Sequence, residues 1–464
     1  MKAQDLVEAA LELTTADAAM VIAQESSTAN LRWASNTLTT NGVARSRDVA
    51  VIVCVDGAEG TATGVLSRSN PDREQLADLV RAAEAAARDS EPAEDALPLV
   101  EKAEAGPSED WDAEFPETSI AVFQDLAAGL GEAFGRARGD DRLLFGFAEH
   151  DVSTVFLGTS TGLRLRHTQP TGRLEVNGKS ADYARSAWAG AATRDFTDID
   201  VAALDSSLTE RLAWAQRTIA LDAGRYETVL PPSAVADLMI NAYWSATGRD
   251  SAEGRTVFSA PAGRTRLGET LTPAPLTLRS DPAAPGLECC PFAVTTASGS
   301  TASVFDNGLA VPAVDWIFNG VLTNLIHTRW TAQHFGGPNG ATPAADNLVM
   351  STTNPAGSLE DLIARTRRGL LLTCLWYIRE VDPQTLLLTG LTRDGVYLVE
   401  NGEVTGAVNN FRFNESPVDL LRRLLEVGDT TPTLPREWGD WFTRAAMPAV
   451  RVDGFNMSSV SAAQ

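Results

Sequence analysis

The chain has 464 residues, of which 44% are hydrophobic and 21% charged, and this composition excludes a disordered polymer. Its formal net charge of −23 repels phosphate backbones and anionic headgroups, which argues against nucleic acid and membrane surfaces as partners. Solubility is the simplest use of that charge, with a basic partner chain or peptide as the alternative.

The first twenty residues, MKAQDLVEAALELTTADAAM, carry acids among the apolar positions and do not read as a secretory signal. No apolar run reaches the length of a membrane span. A cytoplasmic location is the expectation. Four cysteines in so long a chain do not make a disulfide framework. Cys54 in VAVIVCV and Cys374 in LLLTCLW read as core strand residues, and the adjacent Cys289 and Cys290 lack the spacing of a zinc ribbon.

In chain order, Leu6, Val7, Ala10 and Leu11 predict a helix over Gln4 to Leu13. Strand-like runs follow at Ala19–Gln24, Ala29–Ala34, Val49–Val55 and Thr61–Leu66, with turns expected at Asn41-Gly42 and Asp56-Gly57. Leu76, Leu79, Val80 and Ala83 then predict a helix from Arg73 to Arg88. The acidic, proline-containing stretch from Ser90 to Glu117 reads as an exposed loop or linker.

A second round begins with a helix over Ser119 to Arg138. Strand-like runs come next at Leu143–Ala148, Ser153–Leu157, Leu163–His167 and Leu174–Val176, and a helix over Asp200 to Leu221. Helix, antiparallel meander, helix is the outline of both rounds, a duplication of pattern rather than of residue identity.

After Arg225 the pattern changes. Helices are expected only at Ser233–Thr247, Pro312–Phe318, Ser358–Arg368 and Pro417–Val427, between β-rich segments punctuated by Gly395 and Asn401-Gly402. The fold class is therefore α+β: an N-terminal α+β domain over residues 1–222 with the duplicated units, and a β-rich C-terminal domain with few helices over 223–464.

Short motifs that carry chemistry are weak. Gly158-Thr-Ser160-Thr-Gly162 has the spacing of a nucleophile elbow, but alternating Leu163-Arg-Leu-Arg-His after it favours a hairpin turn over a strand-to-helix turn. Gly129, Gly131 and Gly135 sit inside a helical pattern and suit helix packing better than a dinucleotide. His327 and His334 are spaced to share a helix face around Trp330, yet no acid lies among them. For this pair, surface or partly buried histidines are the favoured reading over a metal pair; the other two histidines are His150 and His167. Ser298-Gly-Ser300-Thr-Ala-Ser303 reads as a loop.

Several stretches of the C-terminal half, in order, resemble the TldD/PmbA family, also labelled modulator of gyrase. These are Val304-Phe-Asp-Asn-Gly-Leu with Trp316-Ile-Phe-Asn-Gly-Val-Leu-Thr-Asn-Leu, then Asp346-Asn-Leu-Val-Met. Ser358-Leu-Glu-Asp-Leu-Ile through Arg368-Gly-Leu-Leu-Leu-Thr and Tyr397-Leu-Val-Glu-Asn-Gly-Glu-Val complete the set. The N-terminal half fits more loosely, through Asn36 to Leu66 and Gly162 to Val176.

The resemblance implies a zinc peptidase with an H-E-x-x-x-H helix after a short strand: two histidines on zinc, a glutamate that activates water, and a later cysteine ligand. The matching segment here is Leu238-Met-Ile240-Asn241-Ala-Tyr-Trp-Ser245, after Thr228–Leu230. Ile240 and Ser245 stand at the histidine positions and Asn241 at the glutamate position. Isoleucine has no ligand atom, a hydroxyl is a poor zinc ligand, and a neutral amide takes no proton. Leu434–Met457 contains no cysteine.

The pattern resembles the PmbA (TldE-like) branch. It implies a chain without catalytic or metal residues of its own, in a complex with a TldD-like zinc-bearing subunit that acts on unfolded or extended peptides. The alternatives are a self-sufficient hydrolase using Ser160 or Cys289, and a non-enzymatic binding or regulatory protein.

Overall fold

The computed structural model describes residues 1–462. The first two helices are α1 (Ala3–Leu13) and α2 (Arg73–Asp89), which flank the meander β1 (Ala18–Ala34), β2 (Thr37–Gly57) and β3 (Gly60–Ser69). A second set repeats the outline: α3 (Gln124–Gly139), β4 (Arg142–Thr159), β5 (Arg164–Ser180), β6 (Ser186–Thr193) and α4 (Val201–Trp214). The six strands form one sheet in the order β3-β2-β1-β4-β5-β6. The two meanders meet back to back through antiparallel β1 and β4, from Met20 opposite Thr159 to Trp33 opposite Gly146. The duplication of pattern is thus a two-fold arrangement of strands.

Strands are longer than their apolar runs. Ala19–Gln24 and Ala29–Ala34 are one 17-residue strand, and the four runs between Leu143 and Val176 are two strands. The polar residues in the gaps are absorbed by the sheet. Ser27 is fully buried and bonds the segment before α3, while Glu25 pairs with Arg47. Alternation then assigns the faces. Ala19, Val21 and Ala23 pack under α1 and α2, and Ala29, Leu31 and Trp33 under α3 and α4. Met20 and Ile22 face the other way, onto Phe292, Val304 and Phe305 of the C-terminal half.

Four expectations are corrected here. Asn41-Gly42 is not a turn. The β1–β2 reversal falls at Ser35 and Asn36, both with positive φ (48° and 62°), and Asn41 lies in β2 opposite Leu31. Pro312–Phe318 is not a helix. Val314–Phe318 is a strand, because Val, Trp, Ile and Phe suit a half-buried pleat and Asn319-Gly320 (φ 49° and 79°) closes a hairpin after it. The acidic stretch after α2 is not a loose linker. It lacks regular structure, yet Leu99 and Val100 are buried, Glu109 N–H donates to Arg166 O at 3.0 Å, and Trp111 meets Phe156 edge-on at 5.6 Å. The helix expected to end at Leu221 stops at Trp214, and Thr218–Ile219 pair with the second sheet.

That second sheet is mixed and strand-rich, with short helices. Its spine is the strand Ala445–Val460, which is antiparallel to β8 and to Leu424–Thr433 and parallel to Leu348–Thr352, where β7 is Thr218–Ile219 and β8 is Gly224–Leu230. Asn401-Gly402, with φ of 54° and 83°, turns the hairpin between Val396–Glu400 and Glu403–Val408. Helix α5 (Pro232–Trp244) starts directly after β8 and lies on this sheet. Its residues Ala234 to Ile240 are all buried, so it is a core helix rather than a surface amphipathic one.

Candidate functional site

Pro at the start of α5 fixes φ where no intrahelical N–H is needed, so the helix begins one residue after β8. This strand-to-helix junction sets the orientation of everything that follows. Ile240 points into the core and is 0% exposed. Asn241 and Ser245 lie on the partly exposed side, and each is spent on the helix itself. Asn241 Nδ2 donates to Asp237 O at 2.8 Å, and Ser245 Oγ donates to Asn241 O at 2.9 Å.

One turn earlier stands Asp237, fully buried. Its carboxylate accepts the backbone N–H of Glu437 at 2.9 Å and of Arg436 at 3.2 Å, and its carbonyl accepts Trp438 Nε1 at 3.0 Å. Burial pushes the Asp237 carboxyl well above the usual carboxylate range, and the Glu437 charge adds to this. Asp237 therefore docks the segment after Leu434 onto α5. The sequence carried a signal for it, a single acid in the apolar run AVADLMINAY, which motif reading passed over.

The docked segment walls a cleft of about 330 Å³ beside the exposed end of α5. Glu437 accepts N–H groups from Tyr377 and Ile378 at 3.1 and 3.0 Å. Arg436 lies over Trp376 at 4.3 Å and Trp188 at 5.3 Å, and pairs with Glu175 at 3.4 Å. Glu175 and Trp188 belong to β5 and β6, so the N-terminal sheet closes one side. Trp244 meets Trp438 at 5.2 Å, and Trp441 projects at 80% exposure. Tyr377, 55% exposed, holds φ at 53°, a costly region for an aromatic residue. The cleft is aromatic and polar, with no imidazole in its lining.

The family profile described as PmbA/TldA metallopeptidase C-terminal domain matches residues 223–459, and that described as PmbA/TldA metallopeptidase domain 1 matches 19–87. The chain belongs to the PmbA/TldD family. Among solved structures it is similar to TldE from Thermococcus kodakarensis, with TM-score 0.78 at 16% identity over 98% of this chain and 99% of that one. A candidate modulator of DNA gyrase from Bacteroides thetaiotaomicron gives 0.78 at 17% over 99% and 98%. Another from Thermotoga maritima gives 0.74 at 18% over 95% of each chain. These likenesses show a shared fold. No curated protein sequence matches this PmbA/TldD member.

The zinc that the family name implies does not fit the residues at the α5 position. Ile240 offers no donor atom and lies in the core, while the Asn241 amide and Ser245 hydroxyl are engaged on backbone carbonyls. Among the described residues no three His, Cys, Asp or Glu side chains gather in a metal-holding group.

The other singled-out residues are scattered. Ser160 sits at the β4–β5 turn and accepts Ala19 N–H at 3.1 Å, with no histidine bonded to it among the described residues. Burial pushes the Cys289 thiol up to about 12, so it stays protonated. His327 and His334 do not share a helix face. The helix Arg329–Phe335 starts after His327, which is buried at 2% exposure, while His334 stacks on Trp330 at 4.1 Å. His150 is buried and bonded to Thr118 Oγ1 and Arg194 O. His167 is partly buried and bonded to Gln169. Within α3 only Gly129 meets a close neighbour, Val201, and Gly131 and Gly135 face open space.

Proposed function

We propose that this chain is the non-catalytic subunit of a cytosolic zinc-dependent peptidase complex, paired with a TldD-like partner that holds the zinc. The observation that carries the reading is the state of α5. The positions where the family resemblance implies histidine, glutamate and histidine hold Ile240, Asn241 and Ser245, and none is free to bind a cation or deprotonate water. The substrate in this reading is an unfolded or extended peptide. The aromatic cleft beside α5 supports it, since exposed Trp441 and Tyr377 over a polar floor suit a chain that must be held without a fixed sequence. The chain's part is to complete the chamber and position the peptide for the partner.

The test is reconstitution. A TldD-type subunit is assayed on an unfolded peptide with and without this chain, before and after chelation. Cleavage that needs both subunits and is lost with chelator is the expected result. Equal cleavage and equal substrate range from the partner alone overturn the proposal.

A further inference from the structure

A second cleft, of about 430 Å³, lies between the two halves on another face. It is bounded by α4, by the helix Leu359–Arg365 and by the hairpin that turns at Asn401-Gly402. Its volume is in the range of small-molecule sites, about 300–1,000 Å³. The walls are apolar: Trp214, Leu359, Ile363 and Val404, with buried Leu371 and Thr373 at the floor.

Its charges are arranged in an unusual way. Arg211 lines the cleft and donates one hydrogen bond, from Nη1 to Trp188 O at 2.5 Å. No carboxylate lies within salt-bridge distance of it among the described residues. Arg173 and Arg436 along the same domain junction are paired, while Arg444, which bonds Thr171 across it, shares with Arg211 the lack of a carboxylate at salt-bridge distance among the described residues. Of the ionisable groups that act on Arg211, Tyr397 is kept neutral by burial, with its hydroxyl lacking a hydrogen-bond partner, and Glu210, exposed at the opening, is the one that carries a charge. Tyr397 packs edge-on against Trp214 at 5.1 Å. Arg211 is partly buried, and its guanidinium donors other than Nη1 make no hydrogen bond among the described residues, so an anion in the cleft gains charge-assisted hydrogen bonds from them. At the mouth the sign reverses. Glu210, Glu360 and Glu403 are exposed, and none of the three is ion-paired among the described residues.

A positive group inside, apolar walls, and negative groups at the opening complement a zwitterion. We propose that this cleft binds a short apolar peptide or amino acid with both termini free, its carboxylate on Arg211, its side chain against Trp214 and Ile363, and its ammonium at the glutamate mouth. Inorganic anions match only the inner part of this pattern. The inference stands apart from the proposed peptidase role, because it concerns a different cleft and needs no catalysis.

Calorimetry on the full chain tests it with the dipeptide leucyl-leucine, its C-terminal amide and its N-acetyl form. Amidation removes a charge-assisted bidentate contact and is expected to weaken binding about tenfold or more. Acetylation at the exposed mouth is expected to weaken it about three- to fivefold. Arg211→Gln should reproduce the loss caused by amidation. Should that variant fail to fold, the exposed double variant Glu360→Gln/Glu403→Gln should reproduce the loss caused by acetylation. Equal binding of all three ligands, or no binding at millimolar concentration, overturns the proposal. So does equal calorimetric binding of acetate, inorganic phosphate and leucyl-leucine, which would mark an unspecific anion site.

Discussion

Asp237 and Glu437 are 200 residues apart in sequence, and the buried carboxylate of the first accepts the backbone N–H of the second at 2.9 Å. This bond fixes the segment carrying Arg436, Trp438 and Trp441 to the helix where the family resemblance places catalysis. The aromatic cleft exists because of it.

Removing that acceptor should loosen the cleft. Asp237→Ala leaves two buried N–H groups unsatisfied and is expected to cost about 2–4 kcal/mol in chemical denaturation. Asp237→Asn keeps one acceptor and should cost less. The pH dependence has a definite sign. The folded carboxyl is held above its unfolded value, so between the two values the folded state binds more protons. The stabilisation from Asp237 is full below the ordinary carboxylate range and is lost as pH rises through its raised folded value. The stability difference between wild type and Asp237→Asn should therefore shrink with rising pH over that interval. A flat difference would contradict the burial argument.

Restoring the missing side chains should not restore the metal site. In the triple variant Ile240→His, Asn241→Glu, Ser245→His, the first imidazole is forced into a fully buried apolar position. A stability loss of about 2–4 kcal/mol is expected from the buried polar group and lost packing. Elemental analysis of the purified variant should find no stoichiometric zinc.

Arg436 joins the two halves through Trp188, Trp376 and Glu175. A double-mutant cycle with Arg436→Met and Glu175→Gln should give a coupling of about 1–3 kcal/mol, since both groups are largely withdrawn from water. Raising the salt concentration should change this coupling little. A coupling near zero would mean that this pair adds nothing to the junction between the halves.

Trp441 should behave in the opposite way. At 80% exposure it adds little to folding, and Trp441→Ala should change stability by less than about 0.5 kcal/mol. Peptide cleavage by the reconstituted complex should nevertheless fall through a higher KM. Unchanged KM for several unfolded peptides would remove Trp441 from the substrate path.

Much of the architecture was legible in the residues. Periodicity located α1, α2, α3 and α5, and alternation showed both meanders, because one buried face imposes a period that the sequence cannot hide. Local rules failed where a neighbour outweighed them. Asn41-Gly42 has turn chemistry, but Asn36 made the turn instead: its side chain bonds Arg142 O and Leu144 N of β4, at 2.7 Å each, which ties the reversal to the neighbouring strand. The hydroxyl and acid residues between apolar runs read as breaks, but paired strands on both sides kept them extended.

The sequence by itself determined which donor atoms α5 can offer. Side-chain identity decides whether an atom can bind zinc or take a proton, and Ile240, Asn241 and Ser245 are fixed by the chain alone. Only the tertiary structure decided what stands in that place. The docking of the 436–441 segment on Asp237, the aromatic cleft beside it and the unpaired Arg211 in the second cleft each join residues far apart in the chain. Such contacts leave no periodic trace, since each depends on a few side chains meeting once rather than on a face repeated along an element.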